Sequence, residues 1–170
     1  LSTLSLGAPV PVGPTGGRAG TVTIEGLNGP ASNVTLNNSA ITTEIKTAGF
    51  AGNPPAEINI SSQAVTLTDH ASITANSQGA APAGNIHVAA ATFTMNPGTS
   101  IAASTTGSGN AGIISITATD HVTVSGPGTK LATDTSSTGN AGSLTLNTNQ
   151  LTINNGGSIS SSSTSKSETA

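Results

Sequence analysis

The sequence contains no cysteine, no tryptophan and no tyrosine, and only two phenylalanines and one methionine in 170 residues. Charged side chains make up 6% of it, against roughly 25% in an ordinary domain. Each shortage removes a class of protein. Without cysteine there is neither a disulfide framework nor a thiolate metal site. Lys and Arg together number 4, too few for the positive stripe that nucleic-acid binding needs, so no nucleic-acid partner is expected. No apolar run approaches the ~18 residues of a membrane helix, and no membrane insertion is expected. Strong helix formers are scarce, which argues against a helical bundle. The chain opens at Leu1 without a signal peptide, as expected of a processed chain or a fragment.

What remains is small and polar. There are 28 Thr, 23 Ser, 15 Asn, 21 Gly and 23 Ala, which together fill 110 of 170 positions. Such a composition is compatible with disorder, but the aliphatic residues are ordered along the chain. They come in pairs split by one polar residue: Val22/Ile24, Val34/Leu36, Ile58/Ile60, Val65/Leu67, Ile86/Val88, Phe93/Met95, Ile114/Ile116, Val122/Val124, Leu144/Leu146 and Leu151/Ile153. Period-two spacing of β-branched residues predicts strands with one buried face.

The pairs themselves recur. First pairs begin at Val22, Ile58, Ile86, Ile114 and Leu144, and second pairs at Val34, Val65, Phe93, Val122 and Leu151. A lone third apolar residue follows at Ile45, Ile73, Ile101, Leu131 and Ile159, and the next first pair begins 13 residues later each time. The first repeat is longer, with extra residues assigned to Glu25–Asn33 and Asn37–Glu44. Corners of the form Gly-x-Ala-Gly precede several first pairs, at Gly17–Gly20, Gly109–Gly112 and Gly139–Gly142. Glycine and asparagine tolerate positive φ, which makes a tight corner there inexpensive.

A fixed period near 28–30 residues with three strands per unit predicts a solenoid: an all-β, parallel β-helix with three faces and five to six coils. The whole of 1–170 is expected to be one domain, with 1–16 an irregular first coil, 17–165 the repeats and 166–170 a tail. Coils stack about 4.8 Å apart. Val34, Val65, Phe93, Val122 and Leu151 should then form one inward column, and Thr35, Thr66, Thr94, Thr123 and Thr152 the adjoining outward ladder. Asn37, Thr68, Asn96, Ser125 and Asn154 form the next outward column. Threonine suits an exposed strand face by β-propensity alone. The sharper alternative for the ladder is an ice-binding face.

A second alternative is a polysaccharide-active enzyme, since glycosidic cleavage uses two carboxyl groups at a fixed separation. The acids Glu25, Glu44, Glu57, Asp69, Asp120, Asp134 and Glu168 fall in different columns of the repeat. Asp69-His70 lies in the turn after a second strand, whereas Asp120-His121 lies just before one. His87 shares an outward column with Thr23, Asn59, Ser115 and Thr145 and reads as a surface residue. No nucleophile motif marks a serine, and no catalytic residue, metal site or cofactor is expected.

The stretches Gly109-Asn-Ala-Gly-Ile-Ile-Ser-Ile116 with Val122-Thr-Val-Ser125, and Gly139-Asn-Ala-Gly-Ser-Leu-Thr-Leu146 with Leu151-Thr-Ile-Asn154, resemble the filamentous-haemagglutinin-like family of bacterial surface proteins. Many members are exported by two-partner secretion. The resemblance covers roughly 17–165 and implies a right-handed parallel β-helix, an extracellular or cell-surface location, and roles in adhesion, biofilm or fibre formation. It also implies a host or cell-surface receptor or matrix as a partner. The family's N-terminal secretion signature is not visible.

A solenoid without caps leaves strand edges open to another chain. Leu4 and Leu6 repeat the strand-pair pattern near the start, and Leu151, Ile153 and Ile159 carry it near the end. These five residues are the expected contacts for end-to-end stacking, either of the chain on itself head to tail or on neighbouring repeats of a longer chain.

Overall fold

The computed structural model describes residues 4–5, 20–45 and 54–164. These residues form parallel strands wound as a solenoid, with no helix among them. The strands are β1 (Leu4–Ser5), β2 (Thr21–Ile24), β3 (Ala31–Asn37), β4 (Ala40–Thr42), β5 (Glu57–Thr68), β6 (Ser72–Thr74), β7 (Asn85–Met95), β8 (Ser100–Ala102), β9 (Ile113–Ser125), β10 (Lys130–Ala132), β11 (Ser143–Asn154) and β12 (Ser158–Ser160). A short sheet runs β1-β4-β6-β8-β10-β12, and a long sheet runs β11-β9-β7-β5-β2 with β3 also on β5. Each coil contributes one long and one short strand. A third, minimal ladder of single bridges links Ile45, Ser77, Thr105, Thr135 and Ser163.

The inward columns follow the sequence periodicity. Ile58, Ile86 and Ile114 stack in register, as do Val65, Phe93 and Val122, and all are fully buried. Ile73, Ile101 and Leu131 supply the third wall of the same core. Burying a side chain of this size contributes about 1.5–3 kcal/mol. The second members of the pairs, such as Ile60, Leu67, Ile116 and Val124, are buried beside them.

Several expectations are corrected. The described residues make about four turns, one for each step from β4 to β12 along the short sheet, rather than five to six. Five long rungs had suggested five coils, but five rungs bound only four complete turns. The first and second pairs form separate strands in the first coil alone, as β2 and β3. In β5, β7, β9 and β11 they share one strand of 11–13 residues, with register shifts at Ala90/Thr92 and Thr148/Gln150.

The third apolar position of the first coil is Ile41, which pairs with both Leu4 and Ile73; Ile45 instead bridges Ser77. The extra residues of that coil therefore do not lie in Asn37–Glu44. Ile41 to Ile58 is 17 positions, so four extra residues fall in the following corner. The other insertion is placed as expected: Gly26 and Gly29 close a small antiparallel turn between β2 and β3.

The corner glycines act through close approach rather than positive φ. Gly84, Gly112 and Gly142 have no left-handed φ; that conformation occurs instead in the turns after the long strands, as at Asp69, His70, Gly98 and Asn155. A Cβ on Gly112 would collide with the Gly84 carbonyl oxygen, and one on Gly142 with that of Gly112. At Gly84, Gly112 and Gly142 the corners of successive coils touch backbone to backbone and leave no room for a side chain, whereas the equivalent position one coil earlier is the buried Ala56. The asparagine between them reaches along the stack, where Asn110 Oδ1 accepts a hydrogen bond from the Asn140 amide at 2.9 Å.

Candidate functional site

The outward residues of the long strands form two polar surfaces. On the second half of each strand, Thr35, Thr66, Thr94, Thr123 and Thr152 are paired rung by rung into one continuous ladder. Thr35 is exposed and the other four are half-buried; Thr66, Thr94 and Thr123 each lie between a threonine above and one below. One flanking column is Asn33, Ala64, Thr92, His121 and Gln150. The other includes Asn37 on Thr68 and Ser125 on Asn154. Asn37 Nδ2 donates to Thr68 Oγ1 at 2.9 Å and to Asp69 Oδ2 at 2.5 Å, binding the first coil to the turn of the next. This face presents hydroxyls, methyls and amides, with Asp120 and His121 at one margin, 3.2 Å apart.

On the first half of each strand, His87 sits in the column with Thr23, Asn59, Ser115 and Thr145. Beside it, Glu57 pairs with Asn85, and Ile113 is 44% exposed. Asn85 Oδ1 accepts from the Ile113 amide at 3.0 Å, so this column also ties coil to coil.

The carboxylates are dispersed. Asp69 is at the turn after β5, Asp120 is in mid-strand, and Asp134 lies beyond β10. Among the described residues, no three His, Asp or Glu side chains gather as metal ligands would. Glu168 lies outside the described residues.

Asp134 has a role that sequence reasoning missed. Its carboxylate accepts from Lys130 Nζ at 2.7 Å, from the Ser160 hydroxyl at 3.1 Å, and from the Ser162 hydroxyl at 2.9 Å and amide at 3.1 Å. Partial burial pushes its pKa up, but the bonds and charge of Lys130 and the two serine hydroxyls outweigh that and leave it lowered. Asp134 thereby fastens the last described coil to the one before it. The signal was positional: Asn76, Ser104 and Asp134 occupy equivalent places, each accepting from an amide of the next coil.

The solenoid interior also holds polar residues. Thr43, Ser77, Thr105, Thr133 and Thr135 are at most 2% exposed. Ser77 Oγ donates to the Ala81 carbonyl at 2.7 Å, and Thr105 Oγ1 accepts from the Gly107 amide at 3.2 Å.

Of the expected stacking residues, three lie at the end of the rod. Leu151 and Ile153 in β11 are each 45% exposed, whereas Val122 and Val124, one rung inside, are fully buried. Ile159 is half-buried on β12 and pairs with Leu131. Leu4 belongs to the short sheet, where its backbone pairs with that of Ile41; Leu6 lies outside the described residues. Comparison of the chain with family models, curated proteins and solved structures returns no match.

Proposed function

We propose that this chain is a non-catalytic structural or adhesive protein: a β-solenoid subunit or segment of a bacterial cell-surface filament that stacks end to end. The observation that carries this reading is the run of aliphatic columns reaching β11 with Leu151 and Ile153 half-exposed. Everywhere inside the rod those columns are covered by another coil of the same kind. The outward face supports the same reading, because a hydroxyl and amide surface with little charge suits broad contact with a matrix or receptor.

The test is surface labelling of intact source cells with antibody against the chain. Gold particles along surface fibres and at cell–cell contacts are expected. Label confined to the cell interior would overturn the proposal.

One observation favours a second reading, ice binding: the threonine ladder is in register through five consecutive rungs. Thermal hysteresis of the purified chain, lost when Thr66 and Thr94 are replaced by bulky residues, would establish it. Freezing behaviour equal to that of an inert protein would dismiss it.

A further inference from the structure

The dipeptide Asn-Gly occurs twice in the sequence, at Asn28-Gly29 and Asn155-Gly156. In such a pair the side-chain carbonyl carbon of asparagine can be reached by the next backbone nitrogen. Glycine puts no Cβ in the way of the ring they would close. The fold treats the two copies differently.

Asn28-Gly29 sits in the small turn between β2 and β3, a detour that β5, β7, β9 and β11 do without. Both residues are exposed, and nothing lies within 4 Å of where a Gly29 Cβ would stand. No hydrogen bond to a described residue holds the Asn28 side chain. The tie across the turn, from the Gly29 amide to the Gly26 carbonyl, is 3.4 Å long, beyond the usual range. Asn155-Gly156 lies in the turn from β11 to β12 and is held by its backbone. Asn155 has φ +50 and Gly156 φ +90, and the Gly157 amide donates to the Asn154 carbonyl at 2.9 Å. Gly156 also lies against Pro127 of the coil before. To close a ring, Asn155 must swing out of its left-handed conformation and give up that turn.

We propose that Asn28 is a site of spontaneous deamidation and that the fold protects Asn155 from the same reaction. The Gly29 amide nitrogen, its proton taken by hydroxide or a buffer base, attacks Asn28 Cγ. The N–Cγ bond forms, the Cγ–Nδ2 bond breaks, and ammonia leaves with a proton returned from solvent. The succinimide so formed adds water at either carbonyl and opens to aspartate or isoaspartate, with no electron transferred. The product is one unit more negative than the formal −3 of the chain. Its new carboxylate lies in the same turn as Glu25 and the exposed Leu27. Isoaspartate also lengthens the backbone by one carbon, but here it disturbs no rung, because β2 and β3 pair with β5 on either side of the turn. The chain thus acquires with age a more acidic form of one loop while the rod stays intact. The inference does not depend on the surface role proposed above.

The test warms the full-length protein at mildly alkaline pH, folded and in urea, and then digests it with trypsin. Cleavage after Arg18, Lys46, Lys130 and Lys166 places Asn28 in the peptide 19–46 and Asn155 in 131–166. Mass gain and fragment ions locate each conversion. In the folded chain Asn28 should convert roughly tenfold faster than Asn155, the factor for about 1.4 kcal/mol of barrier. In urea, where the turn that guards Asn155 is gone, the two should convert at similar rates. Asn28→Gln should remove the fast gain from 19–46. Asn28→Asp, which carries the product's charge, should leave the unfolding midpoint unchanged. Asn155 keeping pace with Asn28 in the folded chain, or Asn28 staying intact there while it converts in urea, would overturn the proposal. So would a fast gain in 19–46 that survives Asn28→Gln, since another asparagine would then be its source. A lowered midpoint for Asn28→Asp would overturn the claim that the rod tolerates the change.

Discussion

Single atoms set the limits of this fold at the corners. Where one coil's backbone lies against the next, a Cβ has nowhere to go, and the obstacle is a carbonyl oxygen that cannot swing aside. Gly112→Ala should therefore destabilise the protein by about 1–3 kcal/mol, as overpacking does. Gly20→Ala, where nothing lies within 4 Å of the added atom, should stay within about 0.5 kcal/mol. Denaturant titration of the two variants checks the contrast. Asp134 makes a second prediction. Its folded pKa lies below the ordinary 3.8, so its contribution to stability is full above that value. It is lost as pH falls through the lowered folded pKa. Lys130→Met should move the carboxyl back toward 3.8 and start the loosening of β12 at higher pH, read by carboxyl and amide NMR shifts.

At the scale of strands, the sequence is most legible where its apolar period is unbroken. The pairing of Val34, Val65, Phe93, Val122 and Leu151 was readable because alternation fixes which side faces in, and a one-residue slip would turn every side chain outward. Ile41 was not readable by the same logic. A three-residue strand carries one apolar residue and hence no period, and Ile45, four positions on, is also buried. Distance from the preceding pair would have separated them: Val65 to Ile73 and Phe93 to Ile101 are each 8, whereas Val34 to Ile41 is 7 and Val34 to Ile45 is 11. The Asp134 clamp and the buried threonines were hidden for another reason. In a chain so rich in Ser and Thr, residue type alone does not separate inside from outside.

The same stack grades the strands in stability. Phe93 is enclosed by coils on both sides, and Phe93→Ala should cost about 3–5 kcal/mol. Ile153, at the open edge and half-exposed, should cost markedly less on conversion to Ala. Amide exchange should follow that order, slowest in β7 and slower in β9 than in β11.

Over the whole molecule, cohesion comes from repetition, with each coil held only by those beside it. The aliphatic columns run out to β11, the last described long strand, where Leu151 and Ile153 are half-exposed. The proposed surface role rests on like residues lying on like residues along one axis. The most direct check is a set of paired cysteines introduced into single chains. Thr66→Cys with Thr94→Cys, and Thr94→Cys with Thr123→Cys, are neighbouring rungs about 4.8 Å apart and should close into intramolecular disulfides on oxidation. Thr66→Cys with Thr123→Cys, two rungs apart at about 9.6 Å, should stay reduced. Failure of both neighbouring pairs to close, or closure of the two-rung pair as readily as the others, would contradict the stacked coil.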